Sequence, residues 1–296
     1  MNVYLKKRFY RIVESIVKLL LKFKNNSKSV EFKKAIQSAI FYTTPKNKIL
    51  FSGNSKIKYL MPSADWISLN LFIDESFDYG ILLKTIKILG RKNSKSFLVN
   101  IGSHIGSTCI PAIKNNHFKN LIAFEPQKNS YGFLKANIFL NGIGDRVKIY
   151  NLALSNKKTN LHLGERIKGN IGSSRILPKK QKNSEIVKSD VLDNYTKELN
   201  RNNSLIFIDA EGHEPYIFLG AKKTLKKKIP IVFEFLPGIL DKNWLKNLNP
   251  IIKNYNSFYD LQSQKIKKEK LNEKNLIALF NKLNTKEELY TDLMII

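Results

Sequence analysis

The sequence has little cysteine, little arginine and no long unbroken apolar run, and each shortage closes off a class of protein. Cys109 is the only cysteine among 296 residues. This excludes an intrachain disulfide framework and a cysteine metal cluster, and it suits a reducing compartment such as the cytoplasm. No His/Cys cluster has the spacing of a zinc site. The most apolar early run, residues 12–23, is broken by Glu14, Lys18 and Lys22. It is too short and too charged to span a bilayer, and no signal peptide is evident. Arginine supplies only seven of the 51 basic residues, so the formal net charge of +27 rests on lysine. A charge of that size points to nucleic acid or an anionic membrane. Nucleic-acid readers, however, lean on arginine for bidentate and stacked contacts. A lysine excess accompanied by abundant asparagine and isoleucine reads better as compositional drift than as a polyanion site. There is no internal repeat.

What is present begins with enough apolar residue, 43%, for a packed core in one large domain or one domain plus an extension. Residues 1–24 read as a basic amphipathic helix, with Phe9, Ile12, Val13, Ile16, Leu20 and Phe23 at helical spacing. Such a helix either lies on the inner membrane surface or packs on its own domain or a second subunit. Packing is the preferred reading, and it admits a homo-oligomer. Residues 25–95 form an accessory segment. Asn25 to Ser29 read as a linker, Lys56 to Met61 as a strand, and Phe77 to Leu89 as a helix behind Asp65-Trp66-Ile67-Ser68. The domain division expected is 1–95 for the helical accessory extension and 96–296 for the main domain.

From residue 97 strands and helices alternate. The expected strands are 97–101, 121–125, 147–153, 205–209 and 231–235. Their apolar runs, such as Leu205-Ile206-Phe207-Ile208, suit an α/β fold with a mostly parallel sheet covered on both faces. The helices expected between them are 105–116, 128–140, 190–200 and 214–228. Residues 166–189 read as one long loop, a lid or binding loop. Beyond 240 come a helix from Asn243 to Ile252, a strand pair around Ser257 to Lys265, and a terminal helix from Glu273 to Leu283.

Three stretches carry chemistry. The first is Asn100-Ile101-Gly102-Ser103-His104-Ile105-Gly106, where a strand turns tightly into a helix and presents backbone N–H groups and bare glycine to a ligand. The second is Ala123-Phe124-Glu125-Pro126. An acidic residue at a strand end, roughly 20 residues past a glycine loop, can accept both hydroxyl hydrogens of a ribose. The third is Asp209-Ala210-Glu211-Gly212-His213-Glu214, four ionisable groups at the C-terminal edge of a parallel sheet, where open α/β folds bind ligands. Burial behind an apolar strand perturbs carboxylate pKa values, and His213 titrates near neutral pH. The bland alternative is that Glu211 or Glu214 caps the next helix and His213 is solvated. Asp209, Glu211 and His213 could also hold one divalent ion, though nothing in the sequence demands a metal.

Taken together with Asn151-Leu152-Ala153-Leu154-Ser155 and Val232-Phe233-Glu234-Phe235, these stretches resemble the FkbM family of S-adenosylmethionine-dependent methyltransferases over residues 97 to about 262. The resemblance implies a class I, Rossmann-like methyltransferase fold: a mostly parallel sheet of about seven strands, the last inserted antiparallel, with helices on both faces. It implies S-adenosyl-L-methionine as cofactor. Asn100, Gly102, His104 and Gly106 would meet its methionine end, Glu125 the ribose, and the strand end around Ala153 the adenine. Asp209, Glu211 and His213 would do the substrate chemistry, with Glu234 nearby. The acceptor implied is a hydroxyl on a sugar, glycan or other small molecule. Two departures stand out. The first strand usually ends in Asp, and here it ends in Asn100, which lacks the charge for the cofactor's ammonium. A lysine often precedes the Ile-Asp of the fourth strand, and here that position is Phe207.

Two alternatives come from other classes. An RNA ribose methyltransferase fits the net charge. Base methylation does not fit, because the fourth strand lacks an Asn/Asp-Pro-Pro-aromatic turn and Cys109 lies in the helix after the glycine loop. A non-catalytic membrane-surface or assembly protein with a degenerate cofactor fold fits Asn100 and the basic N-terminus.

Overall fold

The structure, a computed structural model, describes residues 27–46, 48–63, 65–90, 96–165, 171–240, 243–284 and 289–296. The expected basic helix over residues 1–24 lies outside them. The described chain begins with α1 (Ser27–Thr43), so Ser27 to Ser29 open a helix rather than serve as a linker. A hairpin follows, β1 (Ile49–Gly53) antiparallel to β2 (Lys58–Pro62). Then come α2 (Trp66–Asp74) and α3 (Tyr79–Leu89). Asp65 caps α2 by accepting the Ser68 amide.

The central sheet contains β3 (Phe97–Ile101), β4 (Asn120–Phe124), β5 (Val147–Tyr150), β10 (Ser204–Ile208) and β11 (Ile231–Phe235), all parallel. At its far side β14 (Thr291–Ile295) is inserted antiparallel between β11 and β12 (Ser257–Asp260), and β13 (Lys268–Lys270) closes the edge. The order β13-β12-β14-β11-β10-β3-β4-β5 is the expected seven-strand arrangement with one added edge strand. Successive residues of β10 feed opposite faces. Leu205 and Phe207 join one apolar cluster, with Ile105, Ile110 and Leu134. Ile206 and Ile208 join the other, with Phe218, Leu248 and Ile251. The hairpin and α2 are not a separate layer, since Tyr59, Met61 and Leu71 belong to the first cluster.

Helices α4 (Cys109–Lys114) and α5 (Lys128–Leu140) cover the first face. Helix α4 starts later than residue 105 because Pro111, having no N–H and clashing with a carbonyl four residues back, fits only a first turn. On the other face, the expected helix 214–228 divides into α6 (Glu214–Leu219) and α7 (Lys222–Lys226). The break is at Gly220, where a Cβ would sit 2.0 Å from the Ser155 carbonyl oxygen. Helices α8 (Trp244–Asn254) and α9 (Glu273–Leu283) follow the expected ranges closely.

Two expectations fail outright. Residues 171–189 are not a loop. With β6 (Ala153–Leu154) and β7 (Thr159–Glu165), strands β8 (Ser174–Leu177) and β9 (Glu185–Asp190) form a second sheet in the order β6-β9-β7-β8. The chain leaves the main sheet after Tyr150 to enter it, which ends the expected strand 147–153 early. The expected helix 190–200 is also absent. Asp190 instead accepts the Val191 amide and the Asn194 side chain, and Asp193 accepts the Lys223 and Thr224 amides. The local Asp190 bonds compete with helix formation, and Asp193 is engaged instead with the start of α7, leaving a single tight turn at Leu192–Asn194. No helix among the described residues is long and apolar enough to cross a membrane.

Candidate active site

The site is built where β3 and β10 end side by side. The Asp209 amide donates to the Ile101 carbonyl at 2.9 Å, and the next residue of β3's exit is Gly102, with φ +78°. A Cβ on Gly102 would lie 1.6 Å from the Asp209 carbonyl oxygen, so the two strand exits touch backbone to backbone only because residue 102 has no side chain. The Gly102 and Ser103 amides both donate to the Phe124 carbonyl at 3.0 Å, which holds the loop against β4. His104 follows at φ +48°.

Glu125, at the end of β4, is buried. Its Oε2 accepts the His104 amide at 2.7 Å and its Oε1 accepts the Gln127 amide at 2.8 Å. Burial pushes its carboxyl up to about 7, against the lowering effect of those two amides. Each oxygen thus accepts one amide, and a carboxylate oxygen can accept a second hydrogen. Asn151 ties the next strand exit to this one by donating to the Glu125 and Pro126 carbonyls.

A cleft of about 670 Å³, partly open to solvent, runs along these exits. Gly102, His104, Glu125, Ala153, Asp209, Glu211 and His213 all line it, so seven residues chosen from sequence converge on one space. Asn100 and Gly106 do not reach its wall. Asn100 is 2% exposed, and its Oδ1 is a buried acceptor without a hydrogen-bond partner. Gly106 backs onto the side chains of Ile110 and Leu134.

The acidic end of the cleft is electrostatically crowded. Burial, reinforced by the charges of Glu234, Glu211, Asp78 and Glu214, raises the Asp209 carboxyl well above the usual carboxylate range. Burial likewise raises Glu234, whose Oε2 has no partner, and takes Asp78 and Glu214 to about 7. Glu214 accepts the Ala210 amide at 2.8 Å and so holds the turn Ala210 to His213 in place. This is not the helix cap foreseen as the alternative, since the bond goes to the turn before α6 and the helix has no side-chain cap at His213. His213 is not solvated. Its Nε2 lies 2.9 Å from the Ser155 hydroxyl, its ring stacks on Tyr216 at 5.0 Å, and burial lowers its pKa to about 4. Among the described residues no group of three His, Cys, Asp or Glu side chains is placed to hold a metal ion.

Several cleft residues were not singled out from sequence. Ile67, Leu163, Gly172, Arg175 and Ile176 form the wall supplied by α2 and the second sheet. Asp65 stands behind them. Its Oδ1 accepts the Gly172 amide at 3.0 Å, and its Oδ2 lies 3.6 Å from Nε2 of His104. Neither His104 ring nitrogen has a hydrogen-bond partner. Asp65 thus joins the accessory segment, the second sheet and the glycine loop at one carboxylate. No helix was expected at α2. An Asp-x-x-Ser capping pattern was there to signal one, though it says nothing about the cleft.

The strand order, the glycine turn after β3 and the acidic end of β4 define a class I methyltransferase. The chain belongs to the FkbM methyltransferase family: the model of the methyltransferase FkbM domain matches residues 100–262. Among curated proteins none matches this chain. Among solved structures it is similar to methyltransferase FkbM from Methylobacillus flagellatus KT, with 13% identity over 77% of this chain and a TM-score of 0.46. The match spans 52% of that protein's length. It is similar also to TYW2 of M. jannaschii, solved with AdoMet, with 12% identity over 85% of this chain and 87% of that one and a TM-score of 0.42. TYW2 of P. horikoshii, solved with MeSAdo, shares 11% identity over 91% and 84%, with a TM-score of 0.39.

Proposed function

We propose that the protein transfers a methyl group from S-adenosylmethionine to a hydroxyl of a sugar, glycan or other small molecule, in the cleft between the two sheets. The observation that carries this reading is the meeting of Glu125 and Asp209 on one wall, joined through the Gly102 contact. Three features support a fit to the cofactor. Glu125 is held by two amides, one on each oxygen, and each oxygen can accept one further hydrogen from a ribose hydroxyl. Gly102 leaves a cradle that a side chain would fill. The Asn100 Oδ1, buried behind the cleft wall, is an acceptor left without a partner. When bound, the cofactor supplies an electrophilic methyl carbon.

The protein's own task is to hold the acceptor oxygen in line with that carbon and to take its proton, since orientation alone contributes several kcal/mol. Asp209 is the better base. Its raised pKa makes its carboxylate a stronger base than that of an ordinary aspartate. His213, at about 4, is neutral at pH 7 and too weakly basic to compete. Held by Ser155, it is suited to orient the acceptor, and Glu211 lies beside both on the cleft wall. The test is radiolabelled methyl transfer to a panel of hydroxylated sugars and metabolites. Asp209→Asn should lower turnover about 10²–10⁴-fold while leaving S-adenosylhomocysteine affinity nearly unchanged. Full turnover in both Asp209→Asn and His213→Ala would refute the assignment.

A further inference from the structure

His104 is the cleft residue whose placement the reaction just described leaves unexplained. It stands between Gly102 and Gly106 at φ +48°, a conformation that glycine adopts freely and that strains a residue with a side chain. Strain of this kind points to a use for the side chain. The His104 amide donates to Oε2 of Glu125 at 2.7 Å, and the residue lines the cleft with its side chain 11% exposed. Burial lowers the imidazole pKa below its ordinary value, against the raising effect of the Asp65 charge, so the ring is neutral at pH 7. A neutral ring has one N–H donor and one bare acceptor nitrogen. Neither nitrogen has a hydrogen-bond partner among the described residues, and two unmatched polar groups on a buried ring are costly.

Asp65 decides which nitrogen carries the proton. Its Oδ2 lies 3.6 Å from Nε2, and a shift of about half an ångström makes a hydrogen bond of that approach. The carboxylate itself is fully buried and fixed. Its Oδ2 accepts the Ser68 amide and hydroxyl, both at 3.1 Å, and its Oδ1 accepts the Gly172 amide at 3.0 Å. Gly172 permits that approach, since a Cβ there would lie 2.7 Å from Oδ1. A fixed carboxylate beside one ring nitrogen draws the N–H to that nitrogen and leaves the other a bare acceptor. S-adenosylmethionine carries ribose hydroxyls, which Glu125 matches, an adenine amine and an ammonium. The ammonium is the charged donor and most needs an acceptor away from water. Asn100, at the end of β3, brings no charge to meet it. We infer that Asp65 is a positioning residue, holding the His104 N–H on Nε2 so that Nδ1 takes a hydrogen from the ammonium of the bound cofactor. The inference rests on the methyl-transfer reading above and adds to it the group that answers the neutral Asn100. An acceptor hydroxyl is the competing donor, and the test leaves it out.

The experiment records proton–nitrogen correlation spectra of the full chain with nitrogen-15 histidine, of which there are only four, and His104→Asn assigns the signal. Wild type at pH 7 should show His104 protonated on Nε2. Saturation with S-adenosylhomocysteine, with no acceptor present, should shift Nδ1 as a hydrogen bond forms. 5′-Methylthioadenosine, which has the ribose and adenine but no ammonium, should leave Nδ1 unshifted. Asp65→Ser still caps α2 but has no carboxylate. It should abolish the tautomer preference and weaken S-adenosylhomocysteine binding at least about tenfold, the scale of one charge-assisted hydrogen bond, with 5′-methylthioadenosine binding nearly unchanged. Ser68→Ala removes one bond to Asp65 but not its charge, and should keep the tautomer. A proton on Nδ1 in wild type overturns the inference. So does an Nδ1 unmoved by S-adenosylhomocysteine, or moved equally by 5′-methylthioadenosine. These readings need wild type alone, so they stand even where a variant folds poorly. A tautomer that survives in folded Asp65→Ser overturns the inference too. Failure of wild type to bind S-adenosylhomocysteine contradicts the function reading instead, and the Asp65-dependent tautomer is still read without it.

Discussion

Glu125 shows how a single residue's environment makes function depend on pH. Its carboxyl sits at about 7 because it is buried, and only the ionised form accepts two hydroxyl hydrogens. Below pH 7 binding the cofactor must expel a proton, and above it the site is already ionised. S-adenosylhomocysteine affinity should therefore tighten by about tenfold per pH unit up to pH 7 and then level off. Calorimetry across that range checks this, and Glu125→Gln should bind weakly at every pH with no slope. Gly102 makes a second prediction at the same scale. Gly102→Ala puts a methyl group into the Asp209 carbonyl at a φ of +78°, so it should cost at least about 2 kcal/mol of stability and remove cofactor binding. Chemical denaturation with a parallel binding titration reads both. The types and spacing of these residues were legible in the sequence. Their pKa values were not, because desolvation depends on packing from every side. The rank of Asp209 over His213 as a base therefore emerges only in three dimensions.

At the level of elements, the accessory segment is tied to the glycine loop through one asparagine. Asn137, fully buried on α5, accepts the Leu60 amide of β2 at 2.7 Å and donates to the Leu60 and Ile105 carbonyls. One turn on, Asn141 repeats the pattern with both backbone groups of Lys58. The two amides pair with β2 as a neighbouring strand would. Asn137→Ala strands three buried backbone groups and should lower stability by about 2–4 kcal/mol. Thermal and denaturant unfolding measure it, and a change under 1 kcal/mol, about the net worth of one ordinary hydrogen bond, would contradict the account. The parallel strands, α5 and α9 were readable because long apolar runs and clean end signals agree there. Helix α5, for example, opens with Gln127 capping Ser130 and closes at Asn141-Gly142. The second sheet was not readable. Its inner face has only three buried apolar residues, Ala153, Leu163 and Val187, and its strands lie among polar residues that locally resemble a loop. The β1–β2 pairing was hidden for a related reason, since Ile49 and Phe51 are exposed and alternate with no conspicuous core run.

For the whole molecule, the contrast that matters is between a chain with an excess of lysine and a cleft lined by the carboxylates of Glu125, Asp209 and Glu211. The formal net charge of +27 rests on lysine. The carboxylates that Asp209 senses are Glu234 on β11, Glu211 and Glu214 beyond β10, and Asp78 before α3, and their mutual repulsion helps to raise its pKa. Asn100 stands where the family resemblance implies an aspartate, so the end of β3 carries no charge. The central claim is that this cleft binds the cofactor of the FkbM family at Glu125. The most direct measurement is a calorimetric titration of S-adenosylmethionine and S-adenosylhomocysteine into the full chain and into Glu125→Ala, whose circular dichroism is compared with wild type. The account predicts saturable one-to-one binding by wild type, weakened at least about tenfold in the variant, as loss of hydrogen bonds to a charged group requires. Equal affinity in both proteins, or no binding by a folded wild type, would contradict it.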